Sequence, residues 1–298
     1  MNIGIDLGGS HIGVGLINKE NIIVSKKEHN WKQEEKEDLI KNIEYYSKKL
    51  INELLEENKG LKLEKIGIGY PSRNIINGLV YIGEGRTFDL ANILSKEFNV
   101  PVYLKNDVKC SAICEKSIGN LREYDNCIFM TLGTGIGSAY FYKNEMVIPN
   151  KYPGFEIGHM TIEVSGRECR CGRKGCFEEY ASMRVFRKEI KELFNIEHLD
   201  SFKMFEIIDS KEKSKEVNDI INKYVKYLSI GISNIINIFE PDAICIGGSF
   251  TYYADIFLDR LKENLRNQFK EREIPKILIA KYENDAGIIG SSMLNSNN

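Results

Sequence analysis

Cys169, Cys171 and Cys176 are spaced Cys-x-Cys-x4-Cys, and His159 lies a short way upstream of them. Thiolate and imidazole donors in a set of four match tetrahedral zinc. A shell closed by four protein ligands leaves no position for a catalytic water, so a metal held here would be structural. Gly172 and Gly175 supply the turns that such a knuckle needs. A chance cluster of buried cysteines is the alternative. Carboxylates flank the cluster: Glu156 precedes His159 and Glu178 follows Cys176, so a metal that fixed the loop would also fix both. Arg170, Arg173 and Lys174 read as its solvent-facing rim.

Two glycine turns have the form that an anion requires. Gly8, Gly9, Ser10 and His11 in "DLGGSH", and Gly133, Thr134, Gly135 and Gly137 in "TLGTGIG", lie between apolar strands, where backbone N–H groups at a tight turn can face a phosphate. Asp6, at the end of its strand, is placed to reach a hydrated Mg²⁺, which takes one or two carboxylates together with phosphate oxygens. Either loop alone could be a plain hairpin; two matching loops favour a nucleotide cleft between domains. Gly247 and Gly248 in "CIGGSF" and the glycines of "DAGIIG" follow further strands. Approach to an adenosine and helix–strand contact are the two readings there, with helix–strand contact the stronger for either turn alone.

Asn106 and Asp107 in "KNDVKC" fall where a strand ends and a helix begins. Aspartate is a favoured N-cap, so Asp107 is either a structural cap or the group that accepts a proton from a hydroxyl attacking a phosphate. A helix N-terminus would hold that carboxylate ionised and leave it a weak base. Phosphoryl transfer tolerates a weak base, because orientation and charge neutralisation dominate its loose transition state.

The elements that must position these groups alternate between strand and helix. "NIGIDLG", "HIGVGLI" and "NIIVSKK" read as three consecutive strands. Leu39, Ile43, Tyr46, Leu50 and Leu54 recur at helical steps within a helix over about residues 33–57. Strands at "KIGIGYP" and "PVYLKN" follow, with helices near 89–98 and 107–118. The pattern then restarts: "CIFMTLGTGIGSAYFY" repeats the strand, glycine turn and strand of "NIGIDLGGSHIGVGLI". This suggests a duplicated α/β domain, residues 1–118 completed by a C-terminal helix at 285–298, and residues 119–284 carrying the zinc loop at 156–180. A long helix near 212–239 stops at Pro241, the strand "DAICIGG" follows, and a helix carries Leu258, Leu261, Leu265 and Phe269. "KILIAKY" and "DAGIIGSSML" close the chain as strand and helix.

Composition sets outer limits. With 298 residues, 42% hydrophobic and 28% charged, the chain can bury the cores of two domains. A formal net charge of −2 provides no overall field for nucleic acid or an anionic membrane. No apolar run approaches the roughly 18 residues that span a bilayer, and the first residues lack a leader pattern, so a cytoplasmic location is expected. An odd count of seven cysteines argues against a disulfide framework and for metal.

Taken together, "DLGGSH", "LKND", "LGTGIG", "FEIGH" with "CRCGRKGCFEEYAS", "EPDAICIGG" and "DAGIIG" resemble the ROK family, the repressors and sugar kinases of the actin-like ATPase superfamily. The resemblance spans the whole chain, and its Glu-x-Gly-His plus cysteine signature is highly specific. It implies two ribonuclease-H-like domains, ATP and Mg²⁺ in the interdomain cleft and a small-molecule sugar deep on one side. By the same resemblance Asp107 would deprotonate the sugar hydroxyl. Asn106, Glu156, His159 and Glu178 would bind other hydroxyls, and His159, Cys169, Cys171 and Cys176 would bind zinc. A homodimer is implied by the family alone. A glucokinase-type enzyme making a sugar 6-phosphate is the expectation, with N-acetylmannosamine, allose and fructose kinases as close rivals. The family's transcriptional regulators carry an N-terminal winged-helix arm; here the first strand starts at Asn2, which leaves no room for one. This chain departs from the family at Ser72, Arg73 and Asn74 after "GYP", at "GEGRTF", at Lys109 in place of a small amide and at Ser249 in place of a third glycine. The first three of these departures touch substrate choice.

Overall fold

The computed structural model describes residues 1–9, 11–71, 75–76, 79–83, 86–149, 154–210 and 213–296, so Ser10, Ser72–Asn74 and the centre of "GEGRTF" lie outside the described residues. The chain forms two compact units. Unit 1 is Met1–Arg122, Val147–Gly154 and Asn284–Asn298; unit 2 is Glu123–Met146 and Phe155–Glu283.

Unit 1 opens with strands β1 (Asn2–Leu7), β2 (His11–Ile17) and β3 (Ile23–Asn30), each antiparallel to the next. Helix α1 (Leu39–Glu57) turns Ile43, Leu50, Ile51 and Leu54 inward. Each such aliphatic side chain contributes roughly 1.5–3 kcal/mol of burial. The helix expected from about residue 33 starts later. Glu34–Lys36 is a 3₁₀ turn, because the Glu35 carboxylate accepts from Lys32 N–H at 2.8 Å and Tyr46 Oη at 2.6 Å and pairs with His29 Nε2 at 2.9 Å. Strand β4 (Lys65–Tyr70) runs parallel to β1. A small antiparallel sheet that the sequence reading did not contain follows: β5 (Ile75–Ile76), β6 (Leu79–Gly83) and β7 (Arg86–Phe88). Then come α2 (Leu90–Phe98), β8 (Val102–Asn106), parallel to β4, and α3 (Asp107–Ser117).

Unit 2 repeats the plan. Strands β9 (Cys127–Leu132), β10 (Ile136–Tyr142) and β11 (Glu145–Met146) form the antiparallel half of its sheet. The helices are α4 (Glu178–Ala181), α5 (Met183–Phe194), α6 (Ser201–Asp209) and α7 (Ser214–Phe239), the last ending at Glu240 before Pro241. Strand β12 (Ala243–Gly247), helix α8 (Ala254–Gln268) and strand β13 (Lys276–Ile279) follow, with β12 parallel to both β9 and β13. The sheet orders β3-β2-β1-β4-β8 and β11-β10-β9-β12-β13 are the same topology with the same strand senses, so the repeated strand–glycine–strand pattern marks a repeated mixed α/β sheet.

Helix α9 (Ala286–Ser292) returns to unit 1 and lies against its sheet at backbone distance. A Cβ at Gly4 would fall 1.9 Å from Ile288 O, one at Gly67 1.7 Å from Ser291 O, and one at Gly290 1.8 Å from Cys110 O. In "DAGIIG", therefore, Gly290 answers to helix contact.

Candidate functional site

In unit 1 the carboxyl ends of parallel strands β1, β4 and β8 meet, the position where open α/β sheets place ligands. Asp6 is in register with Gly69, and Tyr70 with Asn106. A Cβ on Gly69 would lie 3.4 Å from Asp107 Cα and 3.5 Å from Asp6 Oδ1, so this glycine keeps the space between the two aspartates open. Gly287 approaches Asp6 more closely still, its would-be Cβ 2.5 Å from the carboxyl carbon. The cap at the start of α3 is Asn106, with Asp107 the first helical residue. The Asn106 side-chain oxygen accepts from Lys109 N–H at 3.3 Å, and its amide donates to Asp107 Oδ1 at 2.8 Å. This leaves the Asp107 carboxylate as an acceptor at the helix start.

At Asp107 the helix start is opposed by burial. Burial raises its pKa, and the Val108 and Asp107 amides, the Asn106 amide and the Lys109 charge offset only part of that rise. Burial, then the charges of Asp107 and Glu28, raise Asp6 further, to about 7. Lys109 is buried, with Nζ donating to Gly154 O at 3.0 Å.

The glycines separate into those the fold requires and those it does not. At Gly8 a Cβ would lie 3.2 Å from the ring of His11, which opens β2; at Gly135 it would lie 2.3 Å from Glu178 Oε2. Gly247, the last residue of β12, meets the Phe129 ring at 2.9 Å. Gly248 has φ 75° and meets Leu132 O at 2.7 Å, so contact and backbone conformation account for "CIGGSF". Gly137 lies inside β10, paired with Thr131, and is not part of the turn. Gly9 and Gly133 are different: among the described residues neither has a non-adjacent neighbour within 4 Å of a Cβ, and neither has positive φ. Among the described residues nothing demands glycine at these two loop positions.

In unit 2, the 3₁₀ turn Ile157–His159 lies on β10, where a Cβ on Gly158 would strike Ile136 O at 2.4 Å. The ligating atoms of His159, Cys169, Cys171 and Cys176 all lie within 4.8 Å of one another. His159 Nδ1 is 3.5 Å from Cys169 Sγ, and Cys171 Sγ is 3.6 Å from Cys176 Sγ. Tetrahedral bonds of about 2.3 Å separate sulfur ligands by about 3.8 Å, so these donors fit zinc. Burial and the adjacent thiols push Cys176 up to about 12, so a cation is what would allow all three thiols to ionise together. Glu178 is 2% exposed; its Oε2 accepts from Ile136 N–H at 2.8 Å, and Arg170 Nη2 stands 3.3 Å from its Oε1. Arg170, read as rim, is thus paired with a buried carboxylate. Glu156 is exposed at the start of the 3₁₀ turn.

A cleft of about 860 Å³ in unit 2 is lined by Gly133, Thr134, Ser249, Arg184, Arg187 and Lys191, among others. Sequence reasoning missed the α5 residues of this wall, although Arg184, Arg187, Lys188 and Lys191 recur at the three- and four-residue steps of one helix face. It also missed Trp31, whose indole N–H donates to Gly8 O at 3.0 Å.

Two same-topology α/β sheets, each with a glycine hairpin, and a Cys₃His cluster in the second unit define a duplicated α/β protein of the actin-like ATPase fold. The chain belongs to the ROK family, whose model matches residues 2–298. It is 29% identical to the xylose repressor of Caldicellulosiruptor bescii over 97% of this chain and 76% of that protein. It is 28% identical to the glucokinase of Thermotoga maritima over 98% of this chain and 96% of that protein. A ROK family glucokinase from Streptomyces griseus, solved with glucose and AMPPNP, superposes with a TM-score of 0.80 at 22% identity over 100% of this chain and 99% of that one. Among the described residues no helix is long and apolar enough to cross a membrane.

Proposed function

We propose that the protein is an ATP-dependent sugar kinase, most simply a glucokinase-type enzyme that forms a sugar 6-phosphate. One observation carries the reading: Asp107, a half-buried carboxylate with a raised pKa, stands at the carboxyl ends of β1, β4 and β8 beside Asp6, with Gly69 holding the gap open. Such a group suits general-base work better than structure alone, since a cap is already supplied by Asn106. Asp107 would take the proton of the sugar hydroxyl as that oxygen attacks the γ-phosphorus in line, while the bond from phosphorus to the leaving ADP oxygen breaks. Asn106 would hold Asp107 in place and meet a second hydroxyl. Glu156, His159 and Glu178 would read the remaining hydroxyls, with His159 Nδ1 turned toward the thiols and Nε2 toward the sugar.

The loops at Gly9 and Gly133–Gly135 would receive the phosphates of ATP, and Asp6 would face a hydrated Mg²⁺, which when bound offsets charge on the β- and γ-oxygens. Zinc at His159, Cys169, Cys171 and Cys176 would be structural. A homodimer in the cytoplasm is part of the same proposal.

A second reading, a sugar-responsive regulator, is favoured by the similarity to the xylose repressor. There the same hydroxyl-reading residues would sense sugar without turnover. Coupled ADP-release assays across glucose, N-acetylmannosamine, allose and fructose separate the two. Sugar-dependent ADP release supports the kinase; sugar binding with no ADP release supports the regulator.

A further inference from the structure

The two glycine loops share a feature beyond their glycines. In unit 1 the carbonyl of Gly8 accepts from Trp31 Nε1 at 3.0 Å. In unit 2 the carbonyl of Gly133 accepts from Arg184 N–H at 3.1 Å, and the carbonyl of Thr134 accepts from Arg184 Nε at 3.1 Å. All peptide bonds among the described residues are trans. In a planar trans peptide the C=O and the following N–H point in opposite directions. A carbonyl pinned toward the protein therefore turns the next amide outward.

We propose that Trp31 in unit 1 and Arg184 in unit 2 are positioning residues, each rotating the peptide planes of its own glycine loop so that the amide of Gly9 in one unit, and those of Thr134 and Gly135 in the other, face outward as donors to phosphate oxygens of a nucleoside triphosphate. The inference rests on the nucleotide-binding part of the kinase reading. It also sorts the amides of each loop. Gly8 N–H closes its hairpin on His11 O at 2.8 Å, and Gly133 N–H folds back to Gly135 O at 3.0 Å, so these two serve the turn rather than the ligand. The outward amides sit where side chains are missing or small, and Gly9 and Thr134 are exposed. At Gly9 and Gly133 a Cβ would occupy open space, the space a phosphate would take.

Both pinning donors are themselves held. Trp31 is 7% exposed and meets His29 and Tyr46 edge-on at 5.6 and 5.9 Å; Glu35 ties those two rings together. Arg184 is anchored at its far end by Nη2 donating to Glu179 Oε2 at 2.8 Å. The same device thus occurs once in each repeated sheet with chemically unrelated donors, and in unit 2 it borders the cleft whose wall carries Arg187 and Lys191.

Calorimetric titration of the full chain with AMPPNP and Mg²⁺, and in parallel with adenosine, tests this. Trp31→Phe keeps a ring in place and removes only the N–H; Arg184→Met removes the side-chain donor in the other unit. Each is expected to weaken AMPPNP about three- to tenfold, as loss of one hydrogen bond does, while adenosine binding stays within twofold. Unchanged AMPPNP affinity in both variants overturns the proposal, and so does a parallel weakening of AMPPNP and adenosine, which is the mark of a general structural role. If the unmodified protein binds neither ligand, the kinase reading fails instead. If Trp31→Phe does not fold, Arg184→Met decides the question alone.

Discussion

Arg170 Nη2 stands 3.3 Å from Oε1 of Glu178, an oxygen that is buried and has no hydrogen-bond partner among the described residues, while the other carboxylate oxygen is taken by Ile136 N–H. Arg170 sits between two thiols of the metal-type cluster, so the pair links that cluster to a carboxylate proposed to read a sugar hydroxyl. Arg170→Ala is expected to raise the sugar KM about three- to tenfold with kcat changed less than twofold and metal content unchanged. Steady-state kinetics with varied sugar, alongside metal analysis, measures both.

Removing the metal should act on the sugar side. Purified, unchelated protein is expected to contain about one zinc per chain. Cys171→Ser should raise the sugar KM, or unfold the loop, before it slows phosphoryl transfer. Selective loss of ATP affinity would count against this division of labour.

Two glycine-to-alanine substitutions should behave oppositely. Gly67→Ala puts a methyl 1.7 Å from Ser291 O, so α9 must move off the sheet, at an expected cost of about 3 kcal/mol in denaturant unfolding. Gly133→Ala meets nothing within 4 Å, so stability should be retained while AMPPNP affinity falls. Equal stability of the two variants would contradict the close approach of α9.

Asp107 should set the acid limb of kcat/KM. Its folded pKa is raised by burial, so the active, ionised base is lost as pH falls through a value above the ordinary aspartate range of about 3.9. For Asp6 the folded value is raised from 3.8 to about 7, so the folded state holds the extra proton between those values. Asp6 therefore contributes stability at low pH that is lost as pH rises toward 7. Asp6→Asn is expected to melt higher than the unmodified protein at pH 8, with the difference closing by pH 4. A constant difference across that range would contradict the assignment.

Strand–glycine–strand repetition made the duplicated sheets legible, because apolar runs such as "NIGIDLG" and "CIFMTLG" end in turns that admit only a hairpin. The short sheet β5–β7 was not legible, since strands of two, five and three residues carry too little alternation. Asn106 and Asp107 are both good caps, and only the placement of their side chains shows which one caps. The identity of a glycine likewise says nothing of what a Cβ would meet: Gly9 faces open space and Gly290 faces Cys110 O, although both sit in motifs of the same appearance. The cysteine cluster was legible because metal donors are scarce and their spacing is short. The ion pair of Arg170 with Glu178 was not, because it depends on how the loop folds back.

The most direct test of the kinase reading is sugar-dependent ADP release by Asp107→Asn beside the unmodified protein, with sugar binding followed by calorimetry. The account predicts turnover lowered by about 10²–10⁴-fold while sugar still binds. Near-normal turnover in Asp107→Asn would contradict it.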